Sequence, residues 1–142
     1  MRNVRHLLEA KSPEVYSIAP DAPMIDAIRL MAEKRVGALL VLDNGRLAGI
    51  ISERDYARKI ILQGRSSKTT AVSEVMTTDM HTVGLEDTAE HCMALVTDQR
   101  IRHLPVMADG KVMGVVSIGD LVKAVIEDQQ QELVQLQRYI ES

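Results

Sequence analysis

Gly49-Ile50-Ile51-Ser52-Glu53-Arg54-Asp55 returns 65 residues later as Gly114-Val115-Val116-Ser117-Ile118-Gly119-Asp120. The same shift lays Ser17–Tyr56 over Thr82–Leu121 without a gap. Glycine, serine and aspartate coincide at the ends of the two strings. Identities also fall at Leu30/Leu95, Arg35/Arg100, Leu39/Leu104, Val41/Val106 and Gly45/Gly110. Most of these coincidences crowd into the second half of the unit, which is the mark of an internal repeat. The apolar pattern agrees. Met24, Ala27, Ile28 and Met31 match Ala89, Cys92, Met93 and Val96, and both sets have the spacing of one helix face.

Each copy therefore reads as one string of elements. A short strand, Val15–Ile18 or His81–Val83, leads through a turn with acidic helix-start signals (Asp21 and Pro23; Glu86 and Asp87) into a helix. Two β-rich runs follow, Ala38–Leu42 with Leu47–Ile51, and His103–Met107 with Val112–Val116. Asn44-Gly45 and Asp109-Gly110 separate the runs and supply the positive φ that a two-residue hairpin requires. A second helix starts at Glu53 or Ile118. The unit is β-α-β-β-α, and one copy of about 50 residues buries little surface alone, so two copies are expected to pack sheet to sheet about a pseudo-twofold axis. The expected division is 1–64 for the first repeat with its N-terminal segment, 65–71 for a polar linker, 72–126 for the second repeat and 127–142 for a helical extension. Val4–Leu8 and Val72–Met76 read as helical turns leading into the first and second copies. The extension carries Leu133, Val134, Leu136 and Ile140, a packing or dimer stripe.

Composition narrows the function. The chain has 142 residues, 17 Lys+Arg against 20 Asp+Glu, one Cys, and neither Phe nor Trp. A net charge of -3 argues against a general nucleic-acid binder. No apolar run approaches the ~20 residues of a membrane span, and the charged start lacks a signal-peptide core, so no membrane partner and a cytoplasmic location are expected. The lone Cys92 fits that compartment and lies on a helix's apolar face as a core residue. His6, His81, His91 and His103 show no metal-ligand spacing, so no metal is expected. No P-loop, Gly-x-Gly-x-x-Gly or nucleophile elbow is present. No nucleophile–base pair stands out either, and a non-catalytic protein without a catalytic cofactor is expected.

Ser-x-x-Asp at a strand-to-helix junction has two readings. One is a capping box, with the hydroxyl accepting from a backbone N–H and the carboxylate reaching back. The other is ribose recognition, in which Asp55 and Asp120 accept from vicinal hydroxyls while the helix start favours an anion. Phosphate needs cations, and Arg54, Arg102 and His103 are the candidates; Arg is suited by its planar fork. Arg35 and Arg100 read as solvated helix ends.

The paired strings, together with Arg102-His103-Leu104-Pro105-Val106 and Val75-Met76-Thr77, resemble tandem cystathionine-β-synthase (CBS) domains, the pair known as a Bateman module. The resemblance covers Val4 to Ile126. It implies an α/β (α+β) fold of two CBS repeats. The implied protein is a ligand-sensing module with an adenine nucleotide (AMP, ADP, ATP, NAD(H) or a relative such as S-adenosylmethionine) in the cleft between its repeats. It also implies a homodimer and a downstream protein that the sequence does not name. By position, Asp55 and Asp120 would hold ribose with Ser52 and Ser117 nearby. Ser17, Ile18, Thr82 and Val83 would border the base through backbone groups. Val36, Gly37 and Ala38 would line the first pocket, and Arg54, Arg102 and His103 would meet phosphate, with Pro105 beside them. Gly37-Ala38 stands where the second copy has Arg102-His103, and Ile118-Gly119 stands where the first has Glu53-Arg54, so each copy lacks one cationic element of the other. The alternative is a ligand-independent dimerisation or interaction scaffold whose Ser-x-x-Asp motifs only cap helices.

Overall fold

The computed structural model describes residues 2–11 and 15–141. Its elements run α1 (Val4–Glu9), β1 (Ser17–Ile18), α2 (Met24–Lys34), β2 (Ala38–Asp43), β3 (Arg46–Ser52), α3 (Glu53–Tyr56) with a π-helical continuation over Ala57–Ile61, α4 (Val72–Val75), α5 (Ala89–Asp98), β4 (His103–Ala108), β5 (Lys111–Ser117) and α6 (Ile118–Glu141). The chain forms two compact units, Val15–Met80 and the combination of Met1–Glu14 with His81–Ser142.

The first unit holds a three-stranded sheet in the order β1-β2-β3, β1 parallel and β3 antiparallel to β2. Asn44 (φ 52°) and Gly45 (φ 82°) make the hairpin turn, as Asp109 (φ 52°) and Gly110 (φ 75°) do for β4 and β5. Met24, Ala27 and Met31 of α2 bury against Leu39, Val41 and Ile51, joined by Ile60, Val72 and Val75. In the second unit Ala89, Cys92 and Val96 of α5 bury against Leu104, Val106 and Val116, joined by Val4, Leu7, Leu121 and Ala124. Burial pushes the Cys92 thiol up to about 11, so it remains a protonated core side chain.

Two expectations change. His81–Val83 is not a strand: only Val83 bridges Val106. In the first repeat the Leu40 N–H donates to Tyr16 O at 3.2 Å, but Pro105 occupies the equivalent position and has no N–H to give. The second difference concerns the lead-in segments, each of which packs on the other repeat. Thr70 O and Ser67 O accept from the Met24 and Ile25 N–H groups at 2.8 and 3.0 Å, and the Thr77 N–H donates to Ile50 O at 2.9 Å. The stretch read as a polar linker thus caps α2, whose N-cap Pro23 offers no side-chain acceptor. Correspondingly, Arg2 O accepts from the Ala89 N–H at 2.9 Å, the Val4 N–H donates to Asp87 O at 2.8 Å, and α1 lies on β5. The N-terminal segment therefore belongs with the second repeat.

Two glycines permit these overlays. A Cβ at Gly49 would lie 2.7 Å from Met76 Sδ and 2.9 Å from Thr77 O, and one at Gly114 would lie 2.9 Å from Leu8 Cδ2. The glycine that opens each Gly-x-x-Ser-x-x-Asp string is thus fixed by the segment crossing its strand.

Candidate functional site

Each repeat ends its last strand at a serine that caps the next helix. Ser52 Oγ accepts from the Asp55 N–H at 3.2 Å, and Asp55 Oδ2 accepts from the Ser52 N–H at 3.0 Å. Ser117 and Asp120 repeat this at 3.2 and 2.9 Å. The capping box read from the spacing is present twice. The first helical N–H is satisfied from the neighbouring strand: Glu53 donates to Gly37 O at 3.1 Å and Ile118 to Arg102 O at 2.9 Å. Ala38 pairs with Ser52, and His103 with Ser117. Backbone pairing thus gathers Gly37, Ala38, Ser52 and Asp55 at one junction, and Arg102, His103, Ser117 and Asp120 at the other.

A lysine that sequence reading did not select completes each group. Lys59 Nζ lies 3.0 Å from Asp55 Oδ1 and donates to Val75 O at 2.8 Å. Lys11 Nζ lies 2.7 Å from Asp120 Oδ2 and donates to Val115 O at 2.8 Å. The two junctions have the same chemistry, a capped carboxylate paired with an ammonium that also holds a carbonyl. The first takes its lysine one turn along the same helix, a spacing that could have been read as an i,i+4 pair. The second takes it from a segment 109 residues away, which no local pattern reveals.

Electrostatics differ between carboxylates and cations. Half-burial pushes the Asp120 carboxyl up, but the Lys11 ammonium and the Ser117 N–H outweigh it and hold the group below the ordinary aspartate value. Lys11 and the Ser117 N–H both bond Asp120 through Oδ2, and the side chain is 24% exposed, so Oδ1 retains acceptor capacity. Burial pushes the His103 imidazole down; Lys11 and Arg102 act in the same direction and Asp120 opposes them. His103 is therefore neutral at pH 7.

The other selected residues lie a strand away, are already engaged, or are exposed. Ser17 and Ile18 pair with Leu40 and Val41, one strand beyond β2 from β3 and thus ~10 Å from the Ser52 strand. Val36 donates its N–H to Met31 O, closing α2. Val83 is buried, its N–H donates to Pro105 O at 3.1 Å and its carbonyl accepts from Met107 at 2.9 Å, which leaves it no backbone group for a base. Pro105 is buried in β4. Thr82, Arg54 and Arg102 are exposed. Arg35 (φ 57°) and Arg100 (φ 54°) take the left-handed position that ends α2 and follows α5, so their backbones stop helices.

This architecture, a strand–helix unit used twice with a capped carboxylate and a cation at each junction, defines a tandem-repeat module of mixed α and β structure. The family described as CBS domain matches residues 4–62 and 72–127, and the chain belongs to that family as a pair of its repeats. The mitochondrial CBS domain-containing protein CBSX3 of Arabidopsis thaliana is 48% identical over 126 residues, covering 85% of this chain and 61% of the relative. The chain thus spans about three fifths of that relative's length. A Burkholderia ambifaria protein with CBS domains matches at a TM-score of 0.87 and 50% identity, covering 90% of this chain and 96% of that one. A CBS domain pair solved in complex with 5′-methylthioadenosine and S-adenosyl-L-methionine shares the fold at a TM-score of 0.79 and 21% identity, covering 89% and 98%. Among the described residues no helix is long and apolar enough to cross a membrane.

Proposed function

We propose that the protein is a non-catalytic regulatory module that binds an adenine nucleotide (AMP, ADP, ATP or NAD(H)) at its strand–helix junctions. Occupancy would pass to a downstream protein through a conformational change or a change in how two copies associate. The observation that carries this reading is the paired carboxylate and ammonium at both helix starts. A carboxylate oxygen with spare acceptor capacity suits ribose hydroxyls, and a lysine beside it suits phosphate. Arg54 at the first junction, and Arg102 and His103 at the second, add donors for the same anion. The adenosine compounds in the distant fold relative are of the class these groups would recognise. A ligand acts as a signal here only through different affinities for two states of the protein.

A scaffold reading has one observation in its favour: both carboxylates already close complete capping boxes and ion pairs. Thermal shift with AMP, ATP, NADH and S-adenosylmethionine separates the two. A ligand at 100 times its Kd stabilises by ~2.7 kcal/mol, which for a chain of this size raises Tm by about 5–10 °C. Asp55→Asn and Asp120→Asn keep an oxygen for the cap but present an NH2 group to the ribose. Losing a charge-assisted bond worth ~1.5–3 kcal/mol weakens binding by roughly 10–100-fold. No shift with any of the four ligands, or full affinity in both Asn variants, leaves the scaffold.

A further inference from the structure

We propose that Lys11 makes the second junction selective for an adenosine ligand that carries phosphate over the same nucleoside without it. The inference rests on the nucleotide reading above and gives a role to a residue outside both Gly-x-x-Ser-x-x-Asp strings. An ammonium has three N–H donors. Lys11 gives one to Asp120 Oδ2 at 2.7 Å and one to Val115 O at 2.8 Å. Its side chain is 36% exposed, so the third donor can reach a ligand. The same two contacts hold Nζ beside the carboxylate, and little further ordering of a flexible stem is needed when a ligand arrives.

The pairing acts against a bare nucleoside. Each carboxylate oxygen accepts about two hydrogen bonds. Oδ2 already takes the Lys11 ammonium and the Ser117 N–H, at 2.7 and 2.9 Å, so vicinal hydroxyls are left with Oδ1. Lys11 thus occupies an acceptor position that a ribose would otherwise use. For a phosphorylated ligand the balance reverses. An unpaired Asp120 would repel a phosphate, whereas the Asp120–Lys11 pair is neutral and presents a charged donor. The neighbours do not replace it. His103 is neutral at pH 7, and Arg102 is held at the junction by its carbonyl, which accepts from the Ile118 N–H, while its side chain is exposed.

The first junction has its own ammonium, Lys59, 3.0 Å from Asp55 Oδ1, so the test is made with Asp55→Asn, which weakens that site. Calorimetric titration of the full chain with AMP and with adenosine should then show a preference for AMP of about tenfold, the size of one half-exposed charge-assisted bond. Adding Lys11→Met should weaken AMP by about that factor and leave adenosine bound at least as tightly, so the preference disappears; Lys11→Arg should restore it. An unchanged AMP preference in Lys11→Met, or equal loss of both ligands, overturns the inference and leaves the nucleotide reading intact. AMP binding that is present in the unsubstituted chain and vanishes with Asp55→Asn also overturns it, because the ligand then belongs to the first junction. If the unsubstituted chain binds neither compound the inference falls, and the nucleotide reading is judged separately by the thermal shifts with ATP and NADH.

Discussion

Replacing Lys11 by Met removes the ammonium from Asp120 while keeping most of the aliphatic stem, so it isolates the ion pair of the second junction. Lys11 makes two contacts, at 2.7 Å to Asp120 Oδ2 and 2.8 Å to Val115 O. A buried charge-assisted hydrogen bond contributes ~1.5–3 kcal/mol, but the two side chains are 36% and 24% exposed, and solvent screening lowers this to ~1 kcal/mol. The Val115 carbonyl adds ~0.5 kcal/mol, since water can take the place of the lost donor. Lys11→Met should therefore cost about 1.5 kcal/mol at pH 7, measured by urea unfolding. The loss has a pH signature. Asp120 is held below the ordinary aspartate value in the folded protein, so its contribution is fully present above its unfolded pKa of ~3.9 and disappears as pH falls through the folded value. The gap between parent and variant should be flat from pH 7 to 5 and shrink below pH 4. A gap under ~0.3 kcal/mol at pH 7 lies within the range of inert surface pairs, and it would refute the reasoning, as would a gap constant to pH 3.

Two further outcomes follow from neighbouring contacts. Gly49→Ala should destabilise by ~1–3 kcal/mol because its Cβ meets the Thr77 carbonyl, whereas Gly114→Ala meets only the end of Leu8 and should cost less than half as much in the same denaturant assay. His103 is depressed by burial and by Lys11, so the unfolded chain takes up a proton first and stability falls as pH drops below ~6.5; His103→Gln should remove that part of the slope, and an NMR titration should show the imidazole rising toward its ordinary value in Lys11→Met or when a phosphate-bearing ligand is bound.

The sequence revealed those parts of the fold whose forces act within a few residues. Helix-period stripes located α2 and α5, because Met24, Ala27 and Met31 and their counterparts Ala89, Cys92 and Val96 must face one core. Asn-Gly and Asp-Gly located the hairpins because few other pairs tolerate two successive positive φ values. Ser52, Asp55, Ser117 and Asp120 were legible because a capping box is a contact over three residues. The contacts that were missed are long-range. Lys11 reaches Asp120 only because α1 crosses β5, and Thr70 caps α2 only because the lead-in of one repeat serves the other. The absent His81–Val83 strand was readable in hindsight: proline in the middle of β4 removes a ladder donor, a signal overlooked because the apolar run around it was otherwise β-like.

The exchange of lead-in segments also explains why the two junctions, chemically alike, need not respond alike. Lys59 sits one turn along from Asp55 on the same helical run and also bonds the Val75 carbonyl, so its pairing does not depend on the N-terminal segment. Lys11 is delivered by a separate segment whose placement rests on the Arg2–Ala89 and Val4–Asp87 backbone bonds and on Leu8 lying over Gly114. Anything that loosens α1 from β5 withdraws a cation from Asp120 and, by the same motion, removes the Lys11 charge that adds to burial in depressing His103. An anion bound at the second junction would favour the opposite state, holding Lys11 and α1 in place. The two processes are thermodynamically linked: whatever affinity Lys11 gives to such an anion, the anion returns as stability of the α1 contact. The first junction draws its cation from its own helical run, so no N-terminal segment has to move with it. Of the two near-identical motifs, the second takes its cation from a segment 109 residues away, and the first from a lysine four residues along its own helical run.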